Sequence, residues 1–192
     1  MKKSKSKLLI FLALLFLLST TTQGATFEYF PDVPATADYA EAVKFIAEIG
    51  VIKGDEFGNF NPDQTITRAE FATMMCRLIE VEDEALAITK SSFDDVPSSH
   101  WACGYVTKAV ELGFVSGYGD GRFGPSDTLT YEQAVTVLIR MLGLADEANN
   151  QGGYPDGYIS VARIGGLTNN TTVDIGKAIK RSTVAILMYN IF

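Results

Sequence analysis

From residue 65 the chain reads "TITRAEFATMMCRLI", and Phe71, Met74, Met75, Leu78 and Ile79 fall at i, i+3, i+4, i+7 and i+8. That spacing draws one buried stripe along a helix. Thr67-x-x-Glu70 at its start is a capping box: the threonine hydroxyl accepts from the Glu70 N–H, and the Glu70 carboxylate reaches back to the Thr67 N–H. A helix from 67 to about 80 is therefore predicted. An earlier stripe, Ala42, Val43, Ile46 and Ile49, ends at Gly50, a residue that tolerates the positive φ of a helix C-cap. Between the two stripes Gly54, Gly58 and Pro62 shape a tight loop, with Phe60 expected to tuck inward. The predicted unit is helix, loop, helix.

The unit recurs. "FPDVP" (30–34), "GVIKGDEFGNFNP" (50–62) and "TITRAEFATMMCRLI" (65–79) return as "FDDVP" (93–97), "GFVSGYGDGRFGP" (113–125) and "TLTYEQAVTVLIRML" (128–142), each shifted by 63. Fifteen of the 50 positions in 30–79 are identical in 93–142 without a gap, which marks a duplication rather than a compositional coincidence. Tyr105, Val106, Ala109, Leu112 and Gly113 form the first helix and cap of this copy. A third, degenerate copy follows. Val184, Leu187, Met188, Ile191 and Phe192 repeat the second stripe, "IKRSTVA" lies over "ITRAEFA", and Tyr158, Val161, Ala162 and Ile164 are aligned with Val106, Ala109, Val110 and Leu112. One two-helix unit cannot bury its own apolar faces, so three should share a core. The expected fold class is all-α, three helix–loop–helix repeats at 26–89, 90–153 and 154–192, with 81–92 and 145–153 as polar connectors.

The amino terminus adds a targeting signal. Lys2, Lys3, Lys5 and Lys7 precede an apolar run from Leu8 to Leu18 and then "STTTQGA", the layout of a secretory signal peptide over residues 1–24. Eleven apolar residues are too few for a permanent membrane span. Losing those four lysines takes the formal charge from −7 to about −11, so no basic footprint for nucleic acid exists and an anionic ligand must be held by a few placed arginines. Cys76 and Cys103 read as two unpaired thiols in apolar or near-surface slots.

Arg68 is the residue out of place. It occupies the first turn of its helix, where the macrodipole favours an anion. Either it is solvated there or it awaits an anionic ligand. Other candidate chemistry is thin. "GDEFGNFNPD" (54–63) lacks the alternation of a calcium loop and reads as a turn. His100 stands without partners for a metal or a triad, and Asp94-Asp95 and Glu80, Glu82, Asp83 and Glu84 are local clusters rather than carboxyls set across a cleft. No metal, cofactor or enzymatic activity is expected.

The order F-x-D-V-P, apolar helix ending in Gly, G-x-x-x-G-x-F-x-P and then I-T-R-A-E-F-A resembles the S-layer homology repeat over essentially all of 27–192. The resemblance implies a pseudo-threefold, all-helical spindle around a central bundle. It further implies a secreted, monomeric, non-catalytic module that holds proteins to the bacterial cell wall. Its ligand would be secondary cell-wall polysaccharide, often at a pyruvylated amino sugar, bound in grooves between repeats. Alternatives are direct binding of peptidoglycan, or a structural S-layer interaction protein that binds no sugar. Carried over by position, Arg68 matches the family arginine and Arg181 matches it more loosely, while Tyr131 stands in the second copy. A helix N-terminus with a guanidinium would receive the ketal carboxylate, and Arg68, with its full capping box, is expected to matter most. Trp101 borders a sugar groove or anchors its helix half-buried. Asp32 and Asp95 accept from sugar hydroxyls or cap turns. Gly54 and Gly117 let backbone N–H groups near a ligand or supply positive φ.

Overall fold

A computed structural model describes residues 30–192. The signal peptide expected at 1–24 lies outside the described residues. The capping box forms as the sequence requires: Thr67 Oγ1 accepts from Glu70 N at 3.2 Å and Glu70 Oε2 from Thr67 N at 2.8 Å. Eight helices occur among the described residues. They are α1 (Ala40–Glu48), α2 (Arg68–Leu78), α3 (Glu82–Leu86), α4 (Cys103–Glu111), α5 (Tyr131–Met141), α6 (Ala145–Asn150), α7 (Asp156–Ile164) and α8 (Arg181–Tyr189). Repeat one contributes α1 and α2, repeat two α4 and α5, repeat three α7 and α8.

Three residues close the molecule into a ring. Leu129 N donates to Ile66 O at 2.9 Å, Ile66 N to Ile179 O at 3.1 Å, and Ile179 N to Leu129 O at 2.9 Å, so equivalent residues of the three repeats meet cyclically with their side chains buried. The first N–H groups of α2, α5 and α8 have no partner within their own helices. Each helix finds one in the loop of the next repeat: Arg68 N on Asp127 O (2.9 Å), Ala69 N on Pro125 O (3.1 Å), Tyr131 N on Lys177 O (3.0 Å), Arg181 N on Gln64 O (2.8 Å), Ser182 N on Pro62 O (3.0 Å). With Glu70 N on Thr67 Oγ1, the first three donors of α2 are all engaged.

Helices pair across repeats as well. The second helix of each repeat packs on the first helix of the next, α2 on α4 and α5 on α7, and α8 closes on α1. The core is continuous, with Ile46, Phe60, Phe71, Phe123, Leu138 and Leu187 all essentially inaccessible. Ile49, Leu112 and Ile164, placed on buried stripes by their spacing, are instead 43%, 39% and 74% exposed: Ile49 and Leu112 sit where their helices end, and Ile164 stands in the register of the exposed Glu111. Both cysteines are free and buried, and burial pushes the Cys76 thiol up to about 12.

The connectors are more than polar linkers. They fold into α3 and α6, which pack on α4 and α7 through Ala85 and Ala148. A Cβ at Gly104 would meet Ala85 O, and one at Gly157 would meet Ala148 O, so these two glycines are equivalent positions at close backbone contacts. This corrects the third repeat's register: Tyr158 matches Tyr105 rather than Val106, a shift of 53 between α4 and α7. From cap glycine to second helix the chain takes 18 residues in repeats one and two (50 to 68, 113 to 131) and 15 in repeat three (166 to 181).

Candidate functional site

Each second helix carries one side chain across the ring onto its neighbour's loop. Arg68 Nε donates to Phe123 O at 2.9 Å and Nη2 to Ser116 O at 2.7 Å, with the guanidinium 4.5 Å over the Phe123 ring and 4.9 Å over Tyr118. Arg181 repeats the contact on repeat one: Nε to Phe60 O at 2.8 Å, 5.1 Å over the Phe60 ring. Tyr131 does so on repeat three, buried, with its hydroxyl 3.0 Å from Thr171 Oγ1. Arg68 is thus neither solvated nor set at an open helix terminus. The carbonyls of the next repeat receive its charge, and the α2 N–H groups are already satisfied, so the helix end itself is not the anion site.

Three clefts flank these contacts. The Trp101 groove, about 310 Å3, lies on the repeat-one loop and α2 and is bounded by Arg181 and Trp101. The Tyr154 groove, about 300 Å3, lies on the repeat-two loop and α5 and is bounded by Arg68 and Tyr154. These two correspond residue by residue: Gly54 to Gly117, Glu70 to Gln133, Thr73 to Thr136, Arg77 to Arg140 and, through the 53-residue shift, Trp101 to Tyr154. Trp101 and Tyr154 are 60% and 56% exposed, so Trp101 is no half-buried anchor. The third cleft, about 380 Å3, has Tyr131 where the others have arginine and Asp38 where they have an exposed aromatic.

Of the residues singled out by sequence, the structure brings Arg181, Gly54 and Trp101 together, and separately Arg68 and Gly117. Arg68 therefore serves the repeat-two groove and not the loop of its own repeat. Asp32 and Asp95 act as loop clamps. Asp32 accepts Phe60 N (2.8 Å) and Asn61 N (2.6 Å), and Asp95 accepts Phe123 N (2.9 Å) and Gly124 N (2.8 Å). Burial raises the Asp95 pKa, but those two N–H groups outweigh it and hold the carboxyl below its ordinary value. Gly54 and Gly117 do not have positive φ; that conformation belongs to Gly58 and Gly121 (78° and 87°). A Cβ at Gly54 would lie 2.9 Å from Phe30 Cε1, and one at Gly117 would meet the Phe93 ring and stand 2.7 Å from Arg122 O, so close packing excludes a side chain on either groove wall.

Arg77, Arg140 and Tyr154 escaped the sequence reading. Arg77 and Arg140 are identical under the 63-residue shift, a usable signal, whereas Tyr154 appears only once the shorter spacing before α7 is known. Arg77 Nε donates to Glu82 Oε1 at 2.8 Å, and the same oxygen accepts the Tyr105 hydroxyl at 2.7 Å. Burial raises the Glu82 pKa, yet these partners win and keep it ionised. Arg181 has its pKa lowered by burial, and among the described residues its two terminal nitrogens have no acceptor.

The S-layer homology domain family matches residues 29–72 and 92–135. A cell surface protein of Thermoanaerobacter kivui is 35% identical over 161 residues, 83% of this chain and 20% of that protein. A middle cell wall protein of Brevibacillus brevis is 38% identical over 127 residues, 66% of this chain and 12% of its own length. A cellulosome-anchoring protein of Acetivibrio thermocellus is 30% identical over 112 residues, 58% of this chain and 24% of that one. The chain thus spans about a fifth or less of the first two relatives. With two repeats matched outright and a third completing the same ring, it belongs to the S-layer homology family of cell-surface proteins.

Proposed function

We propose that this chain is a non-catalytic anchoring module of the bacterial cell surface, binding an anionic secondary cell-wall polysaccharide, such as one ending in a pyruvylated amino sugar, in its inter-repeat grooves. One observation carries the reading: the Trp101 and Tyr154 grooves present the same set twice, an arginine from the preceding second helix, a side-chain-free glycine wall and an exposed aromatic at the mouth. Guanidinium donors suit a carboxylate, and an aromatic face suits the apolar face of a sugar ring. Their volumes sit at the lower end of small-ligand sites. Each groove is completed within one chain, so a single copy suffices. The acids on the Trp101 groove support a binding role over hydrolysis. Glu70 is held in the capping box, and Asp55 is pulled below its ordinary pKa by hydrogen bonds from Asn61 and Asn59, the opposite of a general acid's requirement. Among the described residues no helix is long and apolar enough to cross a membrane.

Co-sedimentation with purified cell wall tests this, run before and after acid extraction of the secondary polymer. Binding lost on extraction supports it. Binding unchanged by extraction points to peptidoglycan itself, and no binding to either leaves an assembly role without sugar.

A further inference from the structure

The two arginine grooves match in backbone and differ in charge. On the Trp101 groove Arg77 is neutralised by Glu82 at 2.8 Å, with Lys53 Nζ 3.7 Å from the same carboxylate, and Asp55 and Glu70 add two more acids to the wall. On the Tyr154 groove each of those acids is replaced. Tyr118 takes the place of Asp55, Gln133 that of Glu70, and Ala145 at the start of α6 that of Glu82 at the start of α3. The hydroxyl of Tyr158 meets Asn149 Oδ1 at 3.4 Å where its counterpart Tyr105 meets a carboxylate. Arg140 is held by a 3.4 Å bond to Phe114 O and lies 6.0 Å over the Tyr158 ring. Asp127 accepts from the Tyr118 hydroxyl at 2.8 Å, and the buried Glu132 accepts from Gly176 N at 2.9 Å. Among the described residues neither Arg68 nor Arg140 pairs with a carboxylate.

In a chain of net charge −7, this leaves an acid-free recess holding two uncompensated guanidinium groups. Fixed like charges in a partly desolvated cleft attract a matching number of counter-charges. We infer that the Tyr154 groove selects a glycan unit carrying two negative charges, whereas the Trp101 groove, where Glu82, Asp55 and Glu70 offset Arg77, Arg181 and Lys53, gains nothing from a second charge. The inference rests on the anionic-glycan reading above and adds a division of labour between the two sites.

Two matched disaccharides test it: a pyruvylated amino sugar linked to glucose, with one charge, or to glucuronic acid, with two. The amide resonances of Gly117 and Gly54 report the two grooves separately. At low salt the doubly charged probe should bind about tenfold tighter than the singly charged one at Gly117, and equally at Gly54. Ala145→Glu places a carboxylate where α3 has Glu82, and Arg140→Gln removes the cation; each should level the two affinities at Gly117. Equal affinities at Gly117 in the unsubstituted protein, or a preference that survives both substitutions, would overturn the inference alone. If neither probe moves either glycine, the anionic-glycan reading falls with it.

Discussion

Replacing Arg68 and Arg181 singly by alanine should separate the structural duty of these residues from their ligand duty. Arg68 makes two charge-assisted bonds to repeat-two carbonyls, at 2.9 and 2.7 Å, and Arg181 makes one to repeat one, at 2.8 Å. Each such bond contributes about 1.5–3 kcal/mol. Both arginines also cover a phenylalanine ring, a contribution that cancels in the comparison, and Arg68 alone lies over Tyr118 as well, which adds to the difference in the same direction. Arg68→Ala should therefore lose about 1.5–3 kcal/mol more than Arg181→Ala. In a domain of this size about 1 kcal/mol moves Tm by roughly 2–4 °C, so the Arg68 variant should melt about 3–12 °C below the Arg181 variant. Binding should rank the other way on the Trp101 groove. Arg181 keeps both terminal nitrogens for a carboxylate, and their loss is expected to weaken binding about 10- to 150-fold. Circular dichroism melts give the first ranking. Trp101, the only tryptophan, stands at the mouth of the Arg181 groove, so its fluorescence titrated with a pyruvylated amino sugar gives the second. An Arg181 variant that melts lower than the Arg68 variant, or that binds at that groove as tightly as the parent, would refute the reasoning.

Gly104→Ala must push a Cβ into Ala85 O, a backbone atom, and should destabilise by about 1–3 kcal/mol in denaturant titration, with Gly157→Ala behaving alike against Ala148 O. A neutral effect at both would mean that α3 and α6 do not lock the first helices. Asp95, whose folded pKa is depressed, contributes stability that is present above its unfolded value of about 3.9 and fades as pH falls through the lower folded value. Asp95→Asn should therefore cost about 1 kcal/mol at pH 7, a difference that narrows below about pH 4; a gap that persists into acid would contradict the clamp. Cys76, with its thiol raised to about 12 and fully buried, should resist a disulfide reagent at pH 8 until guanidinium unfolds the chain. Reaction in the native state would show that the α2–α4 interface opens.

Much of the architecture is written in local spacing. The Thr67–Glu70 box and the cap glycines Gly50 and Gly113 depend on contacts within a few residues, and these, like the inward Phe60, stand in the structure as the sequence implies. Cys76, inside, followed from comparing copies. Periodicity also made the all-α class and the shared core legible, since three amphipathic units without another apolar surface must bury one another.

Which neighbour each arginine serves was decided only in three dimensions. The sequence sets Arg68 next to the Gly54 loop of its own repeat, but the ring carries Arg68 to Gly117 and Tyr154, and hands Gly54 and Trp101 to Arg181 from the third repeat. A period along the chain states that units are alike; it does not state whether a helix pairs with its own partner or with the next unit's, because the same apolar stripe satisfies either. The choice falls to the backbone, where the first N–H groups of α2, α5 and α8 find their acceptors in the adjacent loops and rotate every contact by one repeat. Side chains that the sequence marked for a ligand, Asp32 and Asp95, were claimed by the same economy of unpaired N–H groups, since a buried loop must satisfy its donors before a groove can exist beside it.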